Sequence, residues 1–155
     1  MSIEGLLEQL ETLMRQGAEF DALLDAAVRG LHESNPRFQW TGVYELFPDN
    51  MLRLGPFVGP PTDHVFIGVG QGVCGTAVAE RRNMNIPDVR NLSNYLACST
   101  TTRSELVVLI RSGDFIHAQI DIDSDQVAAF DDDAMAGVQR VADWLAGAYR
   151  ARKAA

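Results

Sequence analysis

The 155-residue sequence predicts an α+β fold: a mostly antiparallel sheet with N- and C-terminal helices packed on one face. Three observations carry this. Two amphipathic helical repeats open the chain, the hydrophobic period changes to two from residue 38 onward, and a helix-start signature followed by a 3.6-residue period closes it.

Ile3, Leu6, Leu7, Leu10, Leu13 and Met14 fall at helical spacing and predict a helix over 3–15. Phe20, Leu23, Leu24, Ala27, Val28 and Leu31 repeat the pattern and predict a second helix ending before Ser34-Asn35-Pro36. In residues 38–47, Phe38, Trp40, Tyr44 and Leu46 take one parity and Gln39, Thr41 and Glu45 the other, the pattern of a half-buried strand. Pro48-Asp49-Asn50 reads as a turn and Met51 to Val58 as the return strand. Residues 59–75, rich in Gly and Pro and ending in GVGQGVCG, predict a loop feeding a short helix over about 74–82. Asn85 to Val89 reads as a short strand and 90–103 as a long loop. Strands follow at about 104–110 and 115–123, joined by Arg111-Ser112-Gly113-Asp114. Asp131 reads as an N-cap with Asp132 and Asp133 in the first turn, and Met135, Val138, Ala142, Leu145 and Tyr149 carry the last helix to about 151. The expected organisation is one domain over 1–155, with helices in 1–35, sheet and loops in 38–124 and the closing helix in 131–151.

Composition narrows the chemistry. A net charge of −8 and a pI near 4.7 argue against nucleic acid or an anionic membrane as the main partner. Lys153 is the one lysine, which removes P-loop phosphate binding and Schiff-base catalysis. Three histidines supply no Ser-His-Asp set and no zinc spacing, and His32 and His64 stand isolated. The start lacks the basic and apolar regions of a signal peptide, and no apolar run is long enough for a membrane span. The expected location is therefore the cytoplasm, where Cys74 and Cys98 are inert core thiols or redox-active ones rather than a structural disulfide.

The candidate chemistry concentrates in residues 96–124, LACSTTTRSELVVLIRSGDFIHAQIDIDS. Cys98 is the nucleophile candidate, on a loop among hydroxyl residues with Arg103 close by in sequence; the alternative is a small buried apolar residue. Cys74 has the same alternative, although its loop-to-helix junction would favour thiolate. Period two puts Phe115, His117, Gln119, Asp121 and Asp123 on one face of their strand, toward water or a wet pocket. Glu105 joins that face, directly opposite Asp121, if an odd-length loop separates Arg111 from Phe115, and an even one sends it to the other face; Gly113, suited to a three-residue loop with a glycine-containing bulge, favours the odd length. Three carboxylates on one patch need a bound cation or a raised pKa. The spacing matches no calcium loop, so an ammonium is preferred and no metal is assigned. Trp40 and Tyr44 share a strand face and are either core or the wall of a small pocket.

The segments WTGVYEL, LGPFVG, GVCGTA, IPDV, ACS followed by TRSE, and IDIDS occur in the order found in free methionine-(R)-sulfoxide reductases. The sequence resembles that family over about residues 38–135. The resemblance implies a GAF-like domain that reduces free L-methionine-(R)-sulfoxide in a thiol-dependent reaction. Cys98 would attack the sulfoxide sulfur, and Glu105, Asp121 and Asp123 would hold the ammonium, with Glu105 and Asp123 assisting protonation of the oxygen. Trp40 and Tyr44 would shape the methylthio pocket. Cys74 would convert a Cys98 sulfenic acid to an intramolecular disulfide, which a thioredoxin-type protein reduces. No bound cofactor is expected, and a homodimer is. Three departures stand out: His64 replaces a third cysteine, Ser99 replaces an aspartate, and His117 and Gln119 replace small or apolar residues. A non-catalytic GAF module binding a small molecule and a thiol redox sensor are the alternatives.

Overall fold

The computed structural model describes residues 1–93, 95 and 100–154. Its elements are α1 (Ile3–Arg15), α2 (Phe20–Ser34), β1 (Trp40–Leu46), β2 (Met51–Val58), β3 (Phe66–Gly68), α3 (Gly72–Glu80), β4 (Met84–Ile86), β5 (Ser104–Ser112), β6 (Phe115–Ser124) and α4 (Asp132–Ala154). The strands form one antiparallel sheet in the order β3-β2-β1-β6-β5-β4. β1, β6 and β5 are therefore its centre.

Local chemistry fixes two helix starts, the second as expected. Ser2 caps α1 by accepting from Gly5 N at 3.0 Å, and Asp131 caps α4 through Oδ1 to Ala134 N at 2.8 Å. One face of the sheet carries α1, α2 and α4. There Val43, Leu106, Val108, Ile110, Ala118, Ile120 and Ile122 meet Leu6, Leu10, Leu24, Leu31, Val138 and Leu145 in an apolar core. The other face is covered by α3 and the loops around it, where Val73, Ala77 and Val78 pack on Val107, Leu109 and Tyr44.

Four expectations change. β1 is buried on both faces rather than half-buried, because helices and α3 sandwich the sheet centre. Phe38 precedes β1 and packs in the helix-side core, away from Trp40 and Tyr44. Residues 59–75 are not all loop: they include β3, whose three residues are too few to show a period, and α3 starts at Gly72, so Cys74 lies in its first turn.

The fourth change is in the β5–β6 hairpin. Its turn is the two residues Gly113 and Asp114, with Gly113 at φ +58°, so Ser112 pairs with Phe115. Continued regularly, that turn would set Glu105 against Ile122 and send it to the opposite face from Asp121 and Asp123. A bulge intervenes: Arg111 pairs with Ile116 but Ile110 with Ala118, leaving His117 as the extra residue. Glu105 then pairs with Asp123, not Asp121, and all three carboxylates share one face. The bulge also reverses the strand end. Ile116 packs with Tyr44 and Leu109, while His117 stacks on Tyr149 of α4, at 5.1 Å between ring centroids. His117 is thus not on the carboxylate face.

Candidate functional site

Two ladder rows cross the sheet centre: Trp40–Asp123–Glu105 and Gly42–Asp121–Val107, with Tyr44–Gln119–Leu109 below them. Asp121, Asp123 and Gln119 are at most 2 % exposed, Cys74 4 % and Glu105 5 %. The polar row does not face water; it is enclosed beneath α3 and its loops.

Gly42 makes room for this arrangement, since a Cβ there would lie 2.4 Å from the Trp40 indole. The indole is fixed by Nε1 donating to Pro60 O at 3.0 Å, and the Tyr44 hydroxyl donates to His64 O at 2.7 Å. α3 approaches just as closely. A Cβ on Gly75 would meet Gly68 O at 2.4 Å, and Gly70 N donates to Gly75 O at 2.8 Å. This contact brings Cys74 over the sheet, where its Sγ donates to Glu105 Oε2 at 3.8 Å. Gln119 Nε2 donates to Cys74 O at 3.0 Å, tying β6 to the first turn of α3. The sequence places Gln119 on the polar face of its strand and marks it as a departure, but this bond is not legible there, because its partner lies 45 residues away.

Among the described residues, Asp121 Oδ1, Asp123 Oδ1 and Gln119 Oε1 are buried with no hydrogen-bond partner. Burial drives the electrostatics. It pushes the Asp121 carboxyl up, against hydrogen bonds with Glu105 and Cys74 that pull it down. It pushes Asp123 well above the carboxylate range, with the Asp121 charge adding to it. The Cys74 thiol is also held well above its ordinary value, first by burial and then by the charges of Asp121, Glu105 and Asp123. The position in the first turn of α3 therefore does not activate Cys74: a helix end contributes roughly 0.3–1 kcal/mol, which burial beside three carboxylates overrides.

Two cavities flank the carboxylates. Beside Cys74 a cavity of about 10 Å³, lined by Tyr44, His64, Glu105 and Asp121 among others, has room for about one water. Beside Trp40 a larger one, about 80 Å³, is lined by Pro60, Thr101, Thr102, Asp123 and Asp125. Cys98 lies outside the described residues, so its contacts with Cys74 and the carboxylates are not part of this geometry. The chain just after it returns to the site: Thr101 and Thr102 line the Trp40 cavity, and Arg103 Nη1 donates to the carbonyls of Thr100 and Thr102, each at 3.1 Å. His32 sits elsewhere, with Nδ1 3.1 Å from Thr41 Oγ1. Among the described residues, no helix is long and apolar enough to cross a membrane.

The GAF domain family matches residues 17–149. The free methionine-R-sulfoxide reductase of Escherichia coli K12 is 35% identical over 136 residues, 88% of this chain and 81% of the relative. A solved structure of a type II free methionine-R-sulfoxide reductase from Thermoplasma acidophilum superimposes with a TM-score of 0.79 at 40% identity, covering 83% of this chain and 90% of that one. The free methionine-R-sulfoxide reductase of Neisseria meningitidis, solved in complex with its substrate, gives a TM-score of 0.88 at 30% identity, covering 99% of this chain and 92% of that one.

Proposed function

This chain belongs to the GAF-domain free methionine-R-sulfoxide reductases, and from that premise we propose that it reduces free L-methionine-(R)-sulfoxide through Cys98 and Cys74. The observation that carries the substrate is the pair of buried carboxylate oxygens, Asp121 Oδ1 and Asp123 Oδ1, without partners among the described residues, with Asp123 beside the Trp40 wall and Asp121 beside Tyr44. An ammonium supplies the donors and the positive charge that both oxygens need. A methionine residue inside a peptide has no ammonium to offer, so the same feature selects the free amino acid.

In this reading Trp40 and Tyr44 hold the methylthio end, and Cys98 attacks the sulfoxide sulfur as a thiolate. Asp123, which burial keeps protonated, delivers a proton to the oxygen as its bond to the substrate sulfur breaks, with Glu105 paired beside it. The released hydroxide attacks Cys98 Sγ and breaks its bond to the substrate sulfur, so methionine sulfur is reduced by two electrons and Cys98 is oxidised by two, ending as sulfenic acid. The Cys74 thiol then attacks Cys98, water leaves, and the resulting disulfide is reduced by a thioredoxin-type dithiol. A homodimer in the cytoplasm, where that reductant operates, completes the reading.

The test couples thioredoxin and thioredoxin reductase to NADPH consumption, with each methionine sulfoxide epimer supplied separately. Turnover of the R epimer by wild type, and none by Cys98→Ser, is the expected result. A folded wild-type protein that leaves the R epimer untouched would overturn the proposal.

A further inference from the structure

The sequence assigned no metal because three carboxylates alone resemble no hard-cation site. The structure adds a thiol. One ligand atom each from Cys74, Glu105 and Asp121 lie within 4.8 Å of one another, all three residues buried. The Cys74 Sγ to Glu105 Oε2 distance is 3.8 Å. Two ligands at zinc–sulfur and zinc–oxygen bond lengths on a tetrahedron stand about 3.5 Å apart, so small side-chain movements close this set on one ion.

We propose that, in the reduced protein, Cys74, Glu105 and Asp121 bind a soft divalent cation of the zinc type, in the place otherwise taken by the substrate's ammonium. Three observations act together. A sulfur donor selects zinc or cobalt over magnesium and calcium, which take oxygen ligands. Asp121 belongs to the donor set, and its Oδ1 is buried with no partner among the described residues, so the carboxylate has an oxygen that the protein leaves unsatisfied. The adjoining cavity of about 10 Å³ leaves space for a single water as fourth ligand, giving three protein donors and one open position. Binding exchanges the Cys74 S–H proton for a metal–sulfur bond, and the proton leaves to solvent with no change of oxidation state. Disulfide formation at Cys74 removes the sulfur donor, so the site exists only in the reduced protein. Competition between metal and ammonium rests on the function proposed above; metal binding itself does not.

Cobalt(II) is the probe, added to reduced, chelator-stripped full-length protein under argon. The expected result is one ion per chain with a thiolate-to-cobalt absorption band, displaced by zinc(II) but not by millimolar magnesium. The band persists in Cys98→Ser, disappears in Cys74→Ser, and in Asp121→Asn needs at least about 10-fold more cobalt. Circular dichroism establishes that each variant is folded, and the wild-type band reads independently of any variant. Absence of a thiolate band in wild type, its survival in Cys74→Ser or its loss in Cys98→Ser overturns the proposal. Free methionine raises the cobalt concentration needed for half-saturation; no effect of methionine overturns the shared location. Sulfoxide turnover, measured separately with chelator present, keeps a failure of the metal site distinct from a failure of the enzymatic reading.

Discussion

The two faces of the central sheet use the same three strands for opposite ends. Toward α1, α2 and α4, Val43, Leu106, Val108, Ile120 and Ile122 bury nothing polar from their side chains. Toward α3, the alternate residues of the same strands include two aspartates, a glutamate and a glutamine, with three buried oxygens lacking partners among the described residues. One face holds the fold together, and the other carries buried polar groups whose desolvation costs stability. Period two makes this possible, since neighbours in sequence take opposite faces wherever the ladder is regular.

The contrast is sharpest under substitution. Asp123→Asn should lower kcat/KM for the R epimer by about 10²–10⁴-fold, the range for loss of a proton donor, while the protein stays folded; steady-state kinetics reads it. Leu145→Ala, on the helix side and fully buried, should do the reverse. It costs about 2–5 kcal/mol in urea unfolding and leaves kcat per folded molecule unchanged. Equal losses of activity from both variants would erase the distinction between the faces.

Asp123→Asn should also stabilise the apo protein, by about 1–3 kcal/mol, the cost of a poorly satisfied buried polar group. The sign follows from the raised carboxyl. Asp123 is protonated in the fold at pH values where the unfolded chain has already ionised, so stability is full below the unfolded value near 4 and is lost as pH rises through the folded one. The gain from Asn is therefore largest at high pH and shrinks toward pH 4, as thermal melts across pH would show. A melting temperature lower than wild type at pH 8 would contradict it.

The smallest effect concerns His117. Burial, then Lys153, Arg150 and Arg152 on α4, hold its pKa below the ordinary value. It is neutral in the fold where the unfolded chain is protonated, so it supports stability above about pH 6.5 and that support is lost as pH falls. His117→Gln should flatten the fall in melting temperature below pH 6.5 with no change in KM, because the ring faces α4 rather than the site.

Much of this was legible from residue order alone. α1 is bounded as its heptad-like apolar spacing indicated, β2 as its flanking turn residues indicated, and Asp131 caps α4. The grouping of Asp121 and Asp123 on one face also follows from parity, but the face and the pairing of Glu105 do not. Register depends on the turn and the bulge together; Gly113 suggests a bulge within the turn, whereas nothing in sequence announces the one at His117. Burial of the polar row was not readable either. Cys74 reaches Glu105 across 31 residues, through a close approach at Gly75 that only tertiary packing defines.

The extra residue at His117 also gives β6 one position of slack. Removing it would join Ile116 to Ala118 in a regular ladder and leave every pairing from Ile110 to Ser104 as it is. The hairpin tip can therefore change length by one residue while the carboxylates, about 20 Å further along the strand, keep their phase. A deletion in β5 between Glu105 and Ile110 has no such joint to absorb it, and would turn Glu105 into the helix core. Of the two strands that build the site, only one can tolerate a miscount.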